Sequence, residues 1–448
     1  MAASFRRCGR TVEPMALNHT RLRDDLADSA GGGPEPTAAE VQRRTLIVLV
    51  GTQAAAGVGV AGALAVSSLV AADMSGSDVI GGAASTATVV GAAFASYGLS
   101  RIADRSGRRP AMVVGYAVGA LGAIAAAVAV SLGSWPALLG ALGMLGAAIA
   151  AGLSARFAAT DLADPLRVGR ALAVVLWAVT VGVVIGPNLA EPAQRWADSL
   201  GLVPETGPYL LSAAAFGLAI VGAMFGLRPD PLVLARRLRV TDAADRDTPI
   251  GPPRSPREAL RSAPTAQLAV AGIALAHLVM VGLMSLTPVH MHHGGASLRL
   301  VGLVISLHIA AMYALSPLFG VLADRMGRRQ VLAIGIALLV VAGITAATAG
   351  EAQTPQLAVG LVLLGLGWSA ALVGGSALLV EAVPLSDRPG VQGLSDVAMS
   401  TGGALGGVVA GVTVAVSSYW LLGMAASVLA ALFGIALLVT GRRSPAAA

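Results

Sequence analysis

Apolar and polar residues alternate along this chain in blocks of about 20 residues, far longer than a helical turn. Twelve long apolar runs, at approximately 45–71, 79–99, 111–132, 136–160, 171–190, 208–227, 265–289, 298–319, 331–349, 356–380, 391–415 and 418–440, are separated by short polar segments. A helix rises about 1.5 Å per residue, so roughly 20 apolar residues cross a hydrocarbon core of about 30 Å. The pattern predicts an all-α membrane protein with twelve transmembrane helices, here called spans 1 to 12. Two longer polar stretches organise them. Residues 1–44 read as a disordered tail with a flexible Gly/Pro segment at 29–36, and residues 228–264, rich in Pro and Arg, read as a linker between two sets of six spans. The expected units are therefore 1–44, a bundle at 45–227, the linker at 228–264 with a surface helix around Pro256 to Arg261, a second bundle at 265–440, and a short tail at 441–448.

One polar loop occurs twice. Between spans 2 and 3 the chain reads Ser100-Arg-Ile-Ala-Asp104-Arg105-Ser-Gly107-Arg108-Arg109, and between spans 8 and 9 it reads Gly320-Val-Leu-Ala-Asp324-Arg325-Met-Gly327-Arg328-Arg329. The copies lie half a protein apart, so the two six-span sets are duplicates with twofold pseudo-symmetry. A carboxylate at a helix start is stabilised by unpaired backbone N–H groups and the helix dipole. Symmetry then sets Asp104 near the start of span 11 and Asp324 in the equivalent place. Arg108 needs an acid, and Asp161 at the end of span 4 is the candidate. Arg328 has Glu381 at the same offset. Such clusters act as a gate that locks one face of the bundle and must break for access to alternate; the plainer reading is a tight turn that sets topology.

Composition adds orientation. Apolar residues make up 56% and charged residues 12%, and the 56 glycines suit closely packed membrane helices. Every basic residue is Arg, and these crowd into the amino-terminal tail and every second loop, with Arg442 and Arg443 at the end. By the positive-inside rule both termini are cytoplasmic. The net charge of +6 thus reports topology and not nucleic-acid binding. Arg236-Arg237-Leu-Arg239 is a topology determinant or a contact for anionic lipid. Cys8, the single cysteine, excludes an intramolecular disulfide. No cleavable signal peptide is visible, and Met15 is an alternative initiator.

The repeated loop, within a twelve-span pattern, resembles the signature Gly-x-Leu-Ala-Asp-Arg-x-Gly-Arg-Lys/Arg of the major facilitator superfamily of bacterial transporters. The second copy matches at every signature position; the first has Ser100 for Gly and Ile102 for Leu. Span 5 carries Gly182-Val-Val-Ile-Gly186-Pro187-Asn188, similar to the Gly-x-x-x-Gly-Pro motif of that family's drug antiporters, though Leu189-Ala190-Glu191 departs from its continuation. Glycines four apart also allow close packing in any apolar helix. An Arg that many relatives carry midway along span 4 has no counterpart, and Arg156 lies nearer the cytoplasm.

Ionisable groups inside hydrocarbon need a partner or a purpose. Spans 1, 4 and 10 have no acid at mid-depth. His277 in span 7, His308 in span 8 and Asp396 in span 11 are the proton-coupling candidates, each with a purely structural alternative. By analogy with the family, substrate lies near the midplane between the halves. Gln53, Trp368, Asn188 and Tyr313 join His277 and His308 as cavity candidates. His290-Met-His292-His293 outside span 7 has metal-type donors, but adjacent residues on one loop rarely complete a site, so no resident metal is expected.

The resemblance implies a secondary carrier of the bacterial inner membrane that works as a monomer, without cofactor and driven by the proton gradient. The expected action is proton-coupled export of a small amphipathic compound; the alternative is uptake of a nutrient or metabolite. No nucleophile motif or clustered metal acids suggest an enzyme.

Overall fold

Long apolar runs become helices here because a membrane segment must satisfy its own backbone hydrogen bonds. The computed structural model describes residues 37–245, 254–350 and 352–441, and among these there is no strand. The first six spans are α1 (Ala38–Ser75), α2 (Asp78–Ser106), α3 (Arg108–Ser131), α4 (Trp135–Ala158), α5 (Val168–Asn188) and α6 (Gly207–Gly226). The second six are α7 (Pro264–His293), α8 in two pieces (Leu298–Tyr313 and Ser316–Met326), α9 (Arg328–Ala347), α10 (Thr354–Ala382), α11 (Arg388–Val416) and α12 (Tyr419–Gly441). All twelve are long and apolar enough to cross a membrane. Cys8, Met15, Arg442 and Arg443 lie outside the described residues.

Helix boundaries depart from the apolar runs where packing continues past the lipid. α1 starts at Ala38, ahead of the expected position 45, with Val41 and Thr45 already buried. Gln42 Nε2 donates to the Ala159 carbonyl at 2.7 Å, which anchors that first turn beneath α4. Among the described residues the linker holds two helices. The expected one at Pro256–Arg261 starts with a capping box between Ser255 and Glu258. The other, Pro231–Asp245, was not expected; its Leu232 and Ala235 pack with Leu385 from the α10–α11 loop and Leu162 from the α4–α5 loop. A third short helix, Ala190–Ser199, fills the α5–α6 connection.

α8 breaks because Pro317 has no N–H to return to Tyr313. The Ser316 hydroxyl takes over that carbonyl at 2.7 Å, and it also lies 3.1 Å from the Ala173 carbonyl of α5. The break leaves Tyr313 at a helix end, where its ring meets Trp368 edge-on at 5.6 Å.

The halves meet along two related seams, α2 against α11 and α5 against α8. Gly320 and Gly169 face each other on the second seam, and a Cβ on Gly320 would sit 2.6 Å from the Gly169 carbonyl oxygen. On the first seam Ser100 occupies the position of Gly320 and presses instead on Gly393. A side chain is therefore accepted where the signature has glycine because the opposing helix is itself bare. Gly182 and Gly186, the span-5 motif, pack against Gly57, Ala61 and Gly62 of α1 inside the first half. Their close approach is helix packing within one bundle.

Candidate functional site

Both repeated loops turn through a glycine in a left-handed conformation, Gly107 with φ 99° and Gly327 with φ 107°. Only glycine adopts such angles at low cost, which explains its place in the motif. The side chains around the two turns part company. Arg108 is buried and forks onto Asp161 at 2.8 and 3.1 Å, while its Nη2 also donates to Gln392 Oε1 of α11 at 2.6 Å. Arg328 donates to Glu381 at 2.8 Å and to the Pro165 carbonyl of the first half at 2.5 Å, in a far more open setting. Both arginine–acid contacts expected from the spacing are present.

Asp324 accepts hydrogen bonds from the backbone N–H of Gly169 at 2.7 Å and of Arg170 at 3.1 Å. It thus caps the start of α5 across the seam, with Arg170 Nε 3.5 Å away. Asp104 does not do the same for α11. Its carboxylate takes Arg236 of the linker helix at 2.7 Å, and its carbonyl takes the same guanidinium at 2.5 Å. The reason is in the sequence: the counterpart of Gly169 at the start of α11 is Pro389, which has no N–H to offer. Gly390, next in line, is covered by Pro256 of the linker. Asp230 completes the linker's hold by accepting from Arg109 N–H at 2.7 Å, and Arg254 ties to Asp387 at 3.1 Å. Arg105 and Arg325 are exposed and make no ion pair among the described residues.

Deeper between the halves lies a buried ion pair. Arg156 of α4 donates from Nη2 to Asp396 Oδ1 of α11 at 2.5 Å. Its Nε reaches Ser376 Oγ of α10 at 3.2 Å, Nη1 binds the Leu153 carbonyl at 2.8 Å, and the guanidinium lies 4.4 Å over the Phe157 ring. Arg156 is 0% exposed and Asp396 3%. Arg156 and Ser376 stand 220 positions apart, the repeat offset, so they are symmetry mates that touch at the pseudo-twofold axis. Asp396 was a candidate from sequence; its partner was not. Symmetry brings Arg156 to Ser376 of α10, but no repeat offset links it to Asp396 of α11.

The other candidates divide. Trp368 Nε1 donates to His277 Nδ1 at 2.9 Å, which makes that nitrogen the acceptor and places the proton of a neutral ring on Nε2. With Tyr313, these residues form an aromatic wall on α7, α8 and α10 in the electrostatic reach of Arg156. His308 is fully buried, with Nδ1 2.7 Å from the Leu361 carbonyl and Nε2 unpaired. Gln53 is enclosed within the first half by Tyr116 Oη at 3.0 Å and the Gly152 carbonyl at 3.1 Å. Asn188 is exposed and bonds only its own helix, at the Val184 carbonyl. Neither belongs to the aromatic wall.

At the opposite end, His290 stacks on Tyr419 with ring centres 4.3 Å apart. The side chains of His292 and His293 lie outside the described residues. Among those described, no three His, Cys, Asp or Glu side chains group as for a metal ion.

Among the described residues, the side-chain hydrogen bonds that join one half directly to the other lie toward the end with the repeated loops. They are made by Arg108, Arg156, Asp324, Ser316 and Arg328.

Known proteins place this geometry. The chain is 36% identical over 393 residues to YddS of Bacillus subtilis, described as an uncharacterized MFS-type transporter, covering 88% of this chain and 90% of that one. It is 29% identical over 296 residues to the riboflavin transporter RfnT of Brucella anthropi, covering 65% of this chain and 69% of that protein. The proton:xylose symporter XylE shares the fold with a TM-score of 0.65 at 15% identity, covering 89% of this chain and 96% of that one. A bacterial homologue of the iron transporter ferroportin, solved in an outward-facing state, does so with 0.67 at 13%, covering 89% and 99%. The model of the Major Facilitator Superfamily matches residues 47–296 and 269–448. With its duplicated six-helix bundles and paired signature loops, the chain belongs to the major facilitator superfamily, whose members are multi-pass membrane transporters and not enzymes.

Proposed function

We propose that this protein is a proton-coupled secondary transporter of the bacterial inner membrane, with both termini cytoplasmic, that exports a small amphipathic compound by alternating access. The Arg156–Asp396 pair carries the reading. Breaking a buried ion pair by neutralising one partner leaves the other charge uncompensated. Protonation of Asp396 therefore destabilises the arrangement closed at the arginine-rich, cytoplasmic end, and lets the halves part until water reaches Arg156. Release of the proton to the cytoplasm re-forms the pair and closes that end again. Inward proton movement thereby drives one half of the cycle and needs no cofactor. Trp368, Tyr313 and His277 offer an aromatic, weakly polar wall for the cargo, and the likeness of the span-5 sequence to the drug-antiporter motif, beside its packing role, favours export. One unit holds the whole pathway and works as a monomer amid lipid.

The test is proton movement in proteoliposomes of known orientation, challenged with riboflavin, cationic dyes, sugars and organic acids. A compound that drives proton counter-movement in the wild type, and not in Asp396→Asn, supports the reading; coupled movement that survives in Asp396→Asn sinks it. Uptake of a nutrient, of the kind that the riboflavin transporter among the relatives carries, is the second reading. It predicts proton and compound moving in the same direction.

A further inference from the structure

A small cavity lies between α2, α3, α4 and α11, walled by Ser96, Ser154, Arg108, Gln392 and Asp396 among others. It has room for about one water molecule. Three of its polar groups are buried and point to the same occupant. Gln392 is 2% exposed, its Oε1 is committed to Arg108, and its Nε2 donor has no protein partner. Ser96, 5% exposed, leaves its Oγ unpaired. Asp396 spends Oδ1 on Arg156 and makes no hydrogen bond through Oδ2 among the described residues. Buried polar atoms without partners are costly, and a site of this size with two to four polar partners is the kind that holds ordered water. A bare cation is disfavoured, because an amide N–H and the Arg108 guanidinium share the wall.

We infer that this cavity binds a structural water that accepts from Gln392 Nε2 and donates to Asp396 and Ser96, joining the cytoplasmic gate to the intramembrane acid. The hydrogen-bonded chain then runs Asp161, Arg108, Gln392, water, Asp396, Arg156, Ser376. Gln392 and Asp396 are four residues apart on one helix, so they present one face to the water. Ser96 comes from α2, beside Gly393 on the seam that must open. The two locks between the halves become one device. When Asp396 takes a proton, it no longer attracts the water's hydrogen. The water turns, Gln392 is freed to turn with it, and Arg108 loses its contact with the second half.

The charged and titratable groups facing Asp396 are Arg156 from α4 and, beyond Gln392, Arg108 from α3 with its partner Asp161. His277 of α7 lies beyond Arg156, and Arg388 stands at the start of the same helix. None of these is replaced in the test. Ser96 is the place to intervene, because its hydroxyl has no protein partner to lose.

The inference rests on the coupling role of Asp396, and infrared difference spectroscopy of the full-length protein in liposomes separates the two. The carboxyl band lost in Asp396→Asn reports protonation, and a water band shifted by oxygen-18 water reports the bridge. In wild type and in Ser96→Thr, the water band should change together with the carboxyl band. In Ser96→Val the water band should vanish and the Asp396 midpoint should rise by about one pH unit, since a donor to the ionised form is lost. Ser96→Ala, should valine prevent folding, is expected to weaken the water band in the same direction. A wild-type water band in Ser96→Val, or one indifferent to Asp396 protonation, overturns the bridge while leaving the coupling reading standing. A carboxyl band that never titrates overturns the coupling reading itself.

Discussion

The two signature loops share a sequence and divide the labour in opposite ways. In the first, the arginine is buried: Arg108 and Asp161 are 2% and 0% exposed in their side chains, and the aspartate, Asp104, is 46% exposed and faces the linker. In the second, the aspartate is buried: Asp324 is 2% exposed against the start of α5, while Glu381, which holds Arg328, is 57% exposed. One backbone N–H decides the difference. Gly169 offers it and Pro389 does not, so a single proline turns a symmetric pair of gates into one guanidinium lock and one carboxylate lock.

Burial ranks what each lock is worth, and substitutions in both loops test the ranking. Asp161→Asn should be the most severe, since it leaves the buried Arg108 without its counter-charge. Destabilisation of about 3–5 kcal/mol is expected for removing one partner of such a pair. Spin labels on the ends of α3 and α10 that adjoin the repeated loops should report opening; unchanged distances would break the comparison.

Gly320→Ala comes next. A methyl group there meets the backbone of Gly169 and forces α5 and α8 apart, at about 1–3 kcal/mol. Ser100→Gly, at the equivalent site, should leave transport nearly unchanged because Gly393 already makes room. Equal losses in both variants would show that the seams are not tuned separately.

Asp324→Asn keeps an acceptor but removes the charge that the start of α5 stabilises, so about 1–2 kcal/mol is expected. Transport should slow while insertion into the membrane is normal; full activity would rule out the carboxylate lock. Of the charge substitutions Arg328→Ala should matter least, below about 1 kcal/mol, and its effect should fade as salt is raised. A loss as large as that of Asp161→Asn would reverse the ranking.

Much of this site was legible in the chain before folding. The pairings of Arg108 with Asp161 and of Arg328 with Glu381 follow from one offset applied twice, and Asp324 reaches the helix start that symmetry assigns it. Asp104 departs from the repeat because the loop sequence is silent about Pro389, which stands where the partner N–H has to be. The Arg156–Asp396 pair escaped because no local pattern links residues 240 positions apart on different helices. Gln53, polar at mid-span, read as cavity lining; Tyr116 and the Gly152 carbonyl enclose it instead, a choice that hydropathy does not encode.

The sequence by itself determined the spans, their duplication and the location of the charged loops. These depend on transfer between water and hydrocarbon and on short-range turn chemistry, which each segment settles alone. Tertiary structure alone decided which buried charges meet across the seam, where Asp104 turns, and which polar side chains share one small cavity. Those outcomes depend on how far helix faces approach each other, and that distance is set jointly by residues from both halves.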